Sequence, residues 1–340
     1  MIGQRPISLR LDQAPRLRGV DTPILNAICL AGPTAAGKSS VALELARLVG
    51  GEIVSVDSMQ VYSGLDIGTA KPTPEERRQI AHHLIDVVSL RECFDAADFV
   101  TLARAACAGI ASRNRTPILC GGTGLYFKAL FEGLPQTPEP DAALRAAIES
   151  TPMPALLDEL RLKDPRAYER IDRMNPRRVM RAIEVIRLTR APFSEQRADW
   201  SNHTLKAGGK EATAAAHPRN FFVLDRDPED LRRRIEARVD QMFQAGLVQE
   251  TEDLLRWGLS ENRAAMQAIG YRQVVAHLNA RGSLHSTMEL VKTKTRQFAK
   301  RQRTWFRTQC HSTRLLLARD ETAPETARRV LAMAHLSGGA

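Results

Sequence analysis

The residues best equipped for chemistry lie in AGPTAAGKSS, positions 31–40. Gly32, Gly37, Lys38 and Ser39 fit the pattern Gly, four residues, Gly-Lys-Ser, and Pro33, Thr34, Ala35 and Ala36 fill the turn between them. A loop of this kind folds backbone N–H groups around phosphate oxygens, adds the Lys38 charge, and offers the Ser39 hydroxyl to Mg²⁺. The run ICL before it reads as a strand and VALELARLVG after it as a helix, the context a diphosphate site requires. Asp57 closes a second strand-like run and should lie near that diphosphate, either holding Mg²⁺ or acting as a general base; a turn cap is the plain alternative. Gln60, nearby, is an amide able to read a base edge or simply a surface glutamine. Thr123, in CGGTGLYFKAL, stands where a helix cap is expected, yet the same place aims N–H groups and a hydroxyl at an anion. Arg238 falls on the apolar face shared by Leu231, Ile235 and Met242, so it needs a carboxylate partner or the diphosphate itself.

These side chains need a frame. ILNAICL, GEIVSV, HLIDVV and TPILC read as short buried strands, with helical stretches such as AADFVTLARAACAGIASR and GLYFKALFEG between and after them. Such alternation predicts an α/β core, a parallel sheet covered by helices on both faces in the manner of P-loop nucleotide-binding proteins, with ligands beyond the carboxyl ends of the strands. The proline-rich LPQTPEPD, 134–141, opens a helical block that runs to about Trp200, and the loop 201–219 closes it. FFVLD and RLLLA then supply further strands. The expected organisation is a disordered extension over 1–23 and a core over 24–134 and 220–319. An inserted all-helical domain spans 138–200, and a tail covers 320–340.

The chain has 340 residues, 43% hydrophobic and 26% charged, with a net charge of +10. That excess suits a polyanionic partner, nucleic acid first, although a generic basic surface has the same charge. No apolar run reaches membrane-span length, and the N-terminus lacks the apolar core of a secretory signal. The five cysteines have no metal-site spacing and suit buried thiols in a reducing cytoplasm. In TRQFAKRQRTWFR, Arg296, Lys300, Arg303 and Arg307 share a narrow helical arc with Lys292 beside it, opposite Val291, Phe298 and Trp305. No carboxylate occurs from Val291 to Arg319, so the run reads as a basic ridge that tracks a phosphate backbone. In MNPRRVMRAIEVIRL, Asn175 is the expected cap. Arg177 and Arg181 lie one turn apart, as a second patch joined by Arg145 or as partners of Glu184.

Seven runs in order (GPTAAGKSS, VSVDSMQVYSGLDIGTAKP, GGTGLYFKALFEGLP, NPRRVMRAIEV, RIEARVDQMFQAGLVQE, AMQAIGYRQ and TRQFAKRQRTWFR) closely resemble the bacterial tRNA dimethylallyltransferase, or tRNA isopentenyltransferase, family. The resemblance implies transfer of a dimethylallyl group from dimethylallyl diphosphate to N6 of the adenosine immediately 3′ of the anticodon, in tRNAs reading codons that begin with U. It implies that the loop Gly32 to Ser39 holds the diphosphate, that Asp57 is the general base, and that Thr123 and Arg238 contact the leaving group. The implied tRNA contacts are Asp57, Ser58, Met59 and Gln60; Arg177, Arg178, Val179, Met180 and Arg181; Gln267, Ala268, Ile269, Gly270, Tyr271 and Arg272; Lys300, Arg303 and Arg307; and Thr123 and Arg145 singly. The target base should flip into the cleft from the anticodon stem-loop, and the enzyme should be a cytoplasmic monomer using Mg²⁺. Two positions depart from the family: many relatives have Asn-Asp-Pro where Met174-Asn175-Pro176 stands, and some have arginine at Gln267. A small-molecule or nucleoside kinase and a nucleotide-gated RNA-binding module are the rival readings of the same loop.

Overall fold

A computed structural model describes residues 22–134, 138, 141–196, 218–280 and 282–334. Six strands, β1 Ile28–Ala31, β2 Glu52–Val56, β3 His82–His83, β4 Pro117–Gly121, β5 Phe221–Arg226 and β6 Thr313–Leu317, form one sheet in the order β3-β2-β4-β1-β5-β6. Every pairing is parallel. Because side chains alternate along a strand, Ile28 and Leu30 enter one core while Cys29 and Ala31 enter the other. Both faces are covered, as the continuous apolar strands demand.

The helices of this unit are α1 Thr22–Leu25, α2 Lys38–Val49, α3 Pro74–Gln79, α4 Ala96–Ser112 and α5 Gly124–Glu132 before the insertion. The insertion carries α6 Ala142–Glu149, α7 Met153–Lys163, α8 Pro165–Arg170, α9 Pro176–Thr189 and α10 Phe193–Gln196. After it come α11 Pro228–Gln244, α12 Leu247–Arg256, α13 Tyr271–Ala280, α14 Leu284–Gln309 and α15 Ala323–Met333. Contacts separate two compact units, one built from residues up to 131 and from 216 onward, the other from 132–215. The second unit has its own core around Ile148, Leu156, Leu160, Val179 and Ile183. In it Asp164 is buried, caps α8 at the Ala167 N–H, and accepts from the Ser194 N–H and hydroxyl, which fastens α10.

Local chemistry sets several boundaries differently from expectation. HLIDVV contributes only His83 to the two-residue β3, because Leu84 (φ 61°) and Asp86 (φ 56°) adopt left-handed backbone that ends a strand. The first strand is Ile28–Ala31, and Thr22–Leu25 before it is a helical turn, so the extension ends earlier than residue 23. The tail contains α15, started by a reciprocal Thr322–Glu325 capping box with a proline in its first turn. Its Ala327 and Val330 are buried in the α2 face of the core. Residues 1–21, most of the 134–141 linker, the loop through 217 and the final residues 335–340 lie outside the described residues. Cys29, Cys107 and Cys120 are buried, Cys310 is half-buried and Cys93 is exposed, and none of the five is in a disulfide. Among the described residues no helix is long and apolar enough to cross a membrane.

Candidate active site

The phosphate loop joins β1 to α2, and its glycines have separate reasons to be there. Gly32 has φ 142°, and a Cβ on it would sit 2.2 Å from the Leu224 carbonyl oxygen of β5. Gly37 has φ 98° and starts α2 without any side-chain cap, so the first N–H groups of that helix have no capping side chain. That end of the helix favours an anion both through its N–H groups and through its dipole. Lys38 Nζ donates to the Pro33 carbonyl at 2.7 Å, and Ser39 is exposed at the same helix end. Desolvation pulls Lys38 from its usual 10.5 to about 8; Arg238 adds to the fall, while Cys120 and Asp57 oppose it. Arg226 was not singled out by the sequence, yet it buttresses this loop. Its buried guanidinium donates to the Ala36 carbonyl at 3.1 Å and to Ala318 at 2.8 Å, balanced by Asp230.

Two further loops and helix α11 meet this one at the carboxyl edge of the sheet. Asp57 follows β2, and one carboxylate oxygen accepts from the N–H of Met59 at 2.8 Å and of Gln60 at 3.3 Å. It is therefore a turn cap, yet its charge also reaches Lys38 and Arg238. Thr123 follows β4; its hydroxyl accepts from the Ser58 N–H at 3.1 Å, which ties the β4 loop to the Asp57 turn instead of capping α5. Arg238, on α11, is half-buried and donates to the Thr34 hydroxyl at 3.4 Å. Burial pulls its guanidinium below the ordinary value, with Asp57 opposing. Among the described residues no carboxylate pairs with it, so the structural-partner alternative is not realised. Gln60 departs from the base-reading expectation. Its amide is spent internally, accepting from the Ser55 hydroxyl and donating to the Thr69 and Ala70 carbonyls.

The basic ridge is thinner than the helical count suggests. Lys292 pairs with Asp240 at 2.8 Å, Arg296 with Glu236 at 2.7 Å, and Arg303 with the buried Asp225 at 3.0 Å. At about 100° per residue these three lie nearer the buried arc of Val291, Ala299, Gln302 and Phe306 than Lys300 does, so they face carboxylates of α11 and β5. Lys300 and Arg307 stay exposed. Gln267 and Arg272 are exposed, Ile269 packs against the α11–α14 core of Leu231, Ile235 and Val291, and Ala268 is buried. Tyr271 is fully buried; its hydroxyl donates to Glu250 at 2.5 Å and accepts from the Gly68 N–H at 3.0 Å. Met59 is half-buried against the main core.

Within the 132–215 unit, Glu184 is buried and clamps two arginines, Arg145 at 2.6 Å and Arg181 at 2.5 Å. The pairing alternative thus holds for Arg181, and Arg145 is drawn to the same carboxylate. Arg177 and Arg178 lie on the exposed side of α9, whereas Val179 is buried and Met180 half-buried in the helical core. Asn175 occupies the cap position of α9, but its side chain makes no capping hydrogen bond.

A glycine-rich loop, two cations and an aspartate gathered on one edge of a parallel sheet form an arrangement able to hold an anion such as a diphosphate. The sequence pattern of the IPP transferase family matches residues 60–309, and the chain belongs to that family. It is 43% identical over 286 residues to tRNA dimethylallyltransferase 1 of Trichlorobacter lovleyi, covering 83% of this chain and 90% of the relative. It is 44% identical over 289 residues to the tRNA dimethylallyltransferase of Geobacter metallireducens, covering 82% and 89%. The crystal structure of a tRNA isopentenylpyrophosphate transferase from Bacillus halodurans superposes with a TM-score of 0.63 at 34% identity, covering 91% of this chain and 96% of that one. A eukaryotic dimethylallyltransferase acting on tRNA superposes with a TM-score of 0.66 at 30% identity, over 82% of this chain and 69% of that one. These relatives are named for prenyl transfer to tRNA, and none for a kinase.

Proposed function

We propose that the chain transfers a dimethylallyl group from dimethylallyl diphosphate to N6 of the adenosine 3′ of the anticodon, in tRNAs reading codons that begin with U. The observation that supports this most is Arg238, a half-buried cation that donates to the Thr34 hydroxyl of the phosphate loop and has no carboxylate ion pair among the described residues. A half-buried cation of that kind gains from an anion placed beside it. In this reading the allylic carbon–oxygen bond breaks as the carbon–nitrogen bond forms. Lys38, Arg238, Thr123 and the loop N–H groups stabilise the charge gathering on the bridging oxygen. The adenine amino group becomes acidic as it alkylates, and the Asp57 oxygen not used in the turn takes its proton. The reading extends to a cytoplasmic monomer with tRNA as its macromolecular partner.

The donor set suits Mg²⁺ held chiefly by the diphosphate. Among the described residues no three His, Cys, Asp or Glu side chains gather as a metal site, and Mg²⁺ characteristically takes one or two protein oxygens plus phosphates. Ser39 would supply one such oxygen, and Asp57 keeps its free oxygen for the proton. The ion would add charge neutralisation at the departing diphosphate.

The deciding experiment incubates the protein with labelled dimethylallyl diphosphate, tRNA and Mg²⁺. Label recovered in N6-dimethylallyladenosine supports the reading, and label moving only from ATP in a parallel reaction sinks it. The exposed ridge residues make a second expectation. Lys300→Ala with Arg307→Ala should make the fall of tRNA affinity with salt shallower by roughly 1 to 2 in log–log slope. Arg303→Ala should instead lower thermal stability, because it removes one of the two arginines on buried Asp225. An unchanged slope for the double variant removes the ridge from the RNA interface.

A further inference from the structure

Gln302 is an uncharged, buried residue in the middle of the basic helix α14. Its side-chain oxygen accepts from the Thr34 N–H at 2.8 Å, and its amide nitrogen donates to the Gly122 carbonyl at 2.9 Å. One carboxamide therefore bridges the phosphate loop and the β4 loop, and rotating it by half a turn would break both bonds. Thr34 is gripped twice, at its N–H by Gln302 and at its hydroxyl by Arg238. Gly122 adjoins Thr123, whose hydroxyl holds the Asp57 turn through Ser58. The fit is tight: a Cβ on Gly122 would lie 2.3 Å from the Gln302 amide nitrogen, and one on Gly124 would lie 2.1 Å from the Trp305 ring.

We propose that Gln302 is the positioning residue of the diphosphate site, locking the three loops that carry Thr34, Thr123 and Asp57 into one arrangement. It is buried, away from the exposed arc of α14 that carries Lys300 and Arg307. Its chemistry is specific, since no charged residue can supply a donor to one loop and an acceptor to the other without adding charge to an anion site. The inference rests on the prenyl-transfer reading only for the identity of the leaving group.

Titration with inorganic diphosphate and Mg²⁺ tests it, using wild type, Gln302→Met, Gly122→Ala and the double variant. Met keeps the volume and removes both hydrogen bonds, whereas Ala at 122 displaces the amide sterically. Each single change should weaken diphosphate binding about tenfold. The double should be no weaker than the worse single, because both break the same bridge. The affinity for tRNA should stay within about twofold, and KM for dimethylallyl diphosphate should rise while KM for tRNA does not. A merely structural glutamine would move both substrates together. Diphosphate binding by Gln302→Met within about twofold of wild type, or additive losses in the double, overturns the proposal. If Gln302→Met does not fold, as judged by circular dichroism, Gly122→Ala decides by the same threshold. Wild type that binds diphosphate without prenylating tRNA removes the functional reading and leaves this role intact.

Discussion

Asp57→Asn should lower the rate of prenyl transfer by about 10²- to 10⁴-fold, the usual worth of a positioned general base, while tRNA and diphosphate still bind. Asparagine is the informative replacement because Asp57 has two tasks. One oxygen holds the N–H groups of Met59 and Gln60, and an amide oxygen in the same place can keep both bonds. The other task needs a basic oxygen, which the amide lacks. Asp57→Ala loses the turn as well, so it should also melt earlier, by the ~1 kcal/mol typical of a lost cap. Single-turnover kinetics with prebound tRNA separates the two. Full activity in Asp57→Asn would transfer proton removal to some other group, and a loss of tRNA binding equal to the loss of rate would make the residue structural. The same experiment addresses the RNA-binding-module reading, which expects no turnover in the wild type at all.

The site could be read from the sequence where a residue's role is dictated by its own backbone. Gly32, Gly37 and Lys38 are legible because a strand, a left-handed turn and a helix start follow one another within ten residues. Asp57 and Thr123 follow from topology, since parallel strands deliver their carboxyl ends to one edge. What stayed hidden depends on partners distant along the chain. The stripe from Lys292 to Arg307 contains no acid, yet Asp225, Glu236 and Asp240 come from β5 and α11 to pair with three of its five ridge cations. Counting angles on a single helix cannot reveal a neighbour. Gln302 was invisible for the same reason, as a neutral residue within a basic run. Tyr271 lies in a motif that implies an RNA contact, but Glu250 on α12 draws its hydroxyl inward. Another signal was legible and passed over. Thr322-Ala-Pro-Glu325 is a helix-start signature within a stretch read only as a tail.

Lys38→Met should reduce kcat/KM for dimethylallyl diphosphate by about 10²- to 10³-fold, comparable to removing a preorganised donor from a developing anion. Methionine keeps much of the apolar stem, so the change isolates the ammonium. The free protein should respond in the opposite sense. Folding lowers the Lys38 pKa from its usual 10.5 to about 8, so between those values the unfolded chain holds more of this proton. Stability contributed by this group therefore rises with pH across that window, and below it the charged ammonium opposes folding. Lys38→Met should accordingly melt no lower than wild type at pH 7 without ligand, and the difference should shrink as pH rises past about 8. Diphosphate reverses the balance by supplying the anion that Lys38 and Arg238 both lack. Wild type should gain melting temperature with added diphosphate, less so as the pH rises above about 8, and the variant should gain little at any pH. A variant that is stabilised by diphosphate as much as wild type would place the anion elsewhere. Melting curves from pH 6.5 to 9.5, with and without diphosphate, read both signs in one series, and the crossing of the two responses is the property of a cation held in waiting for its substrate.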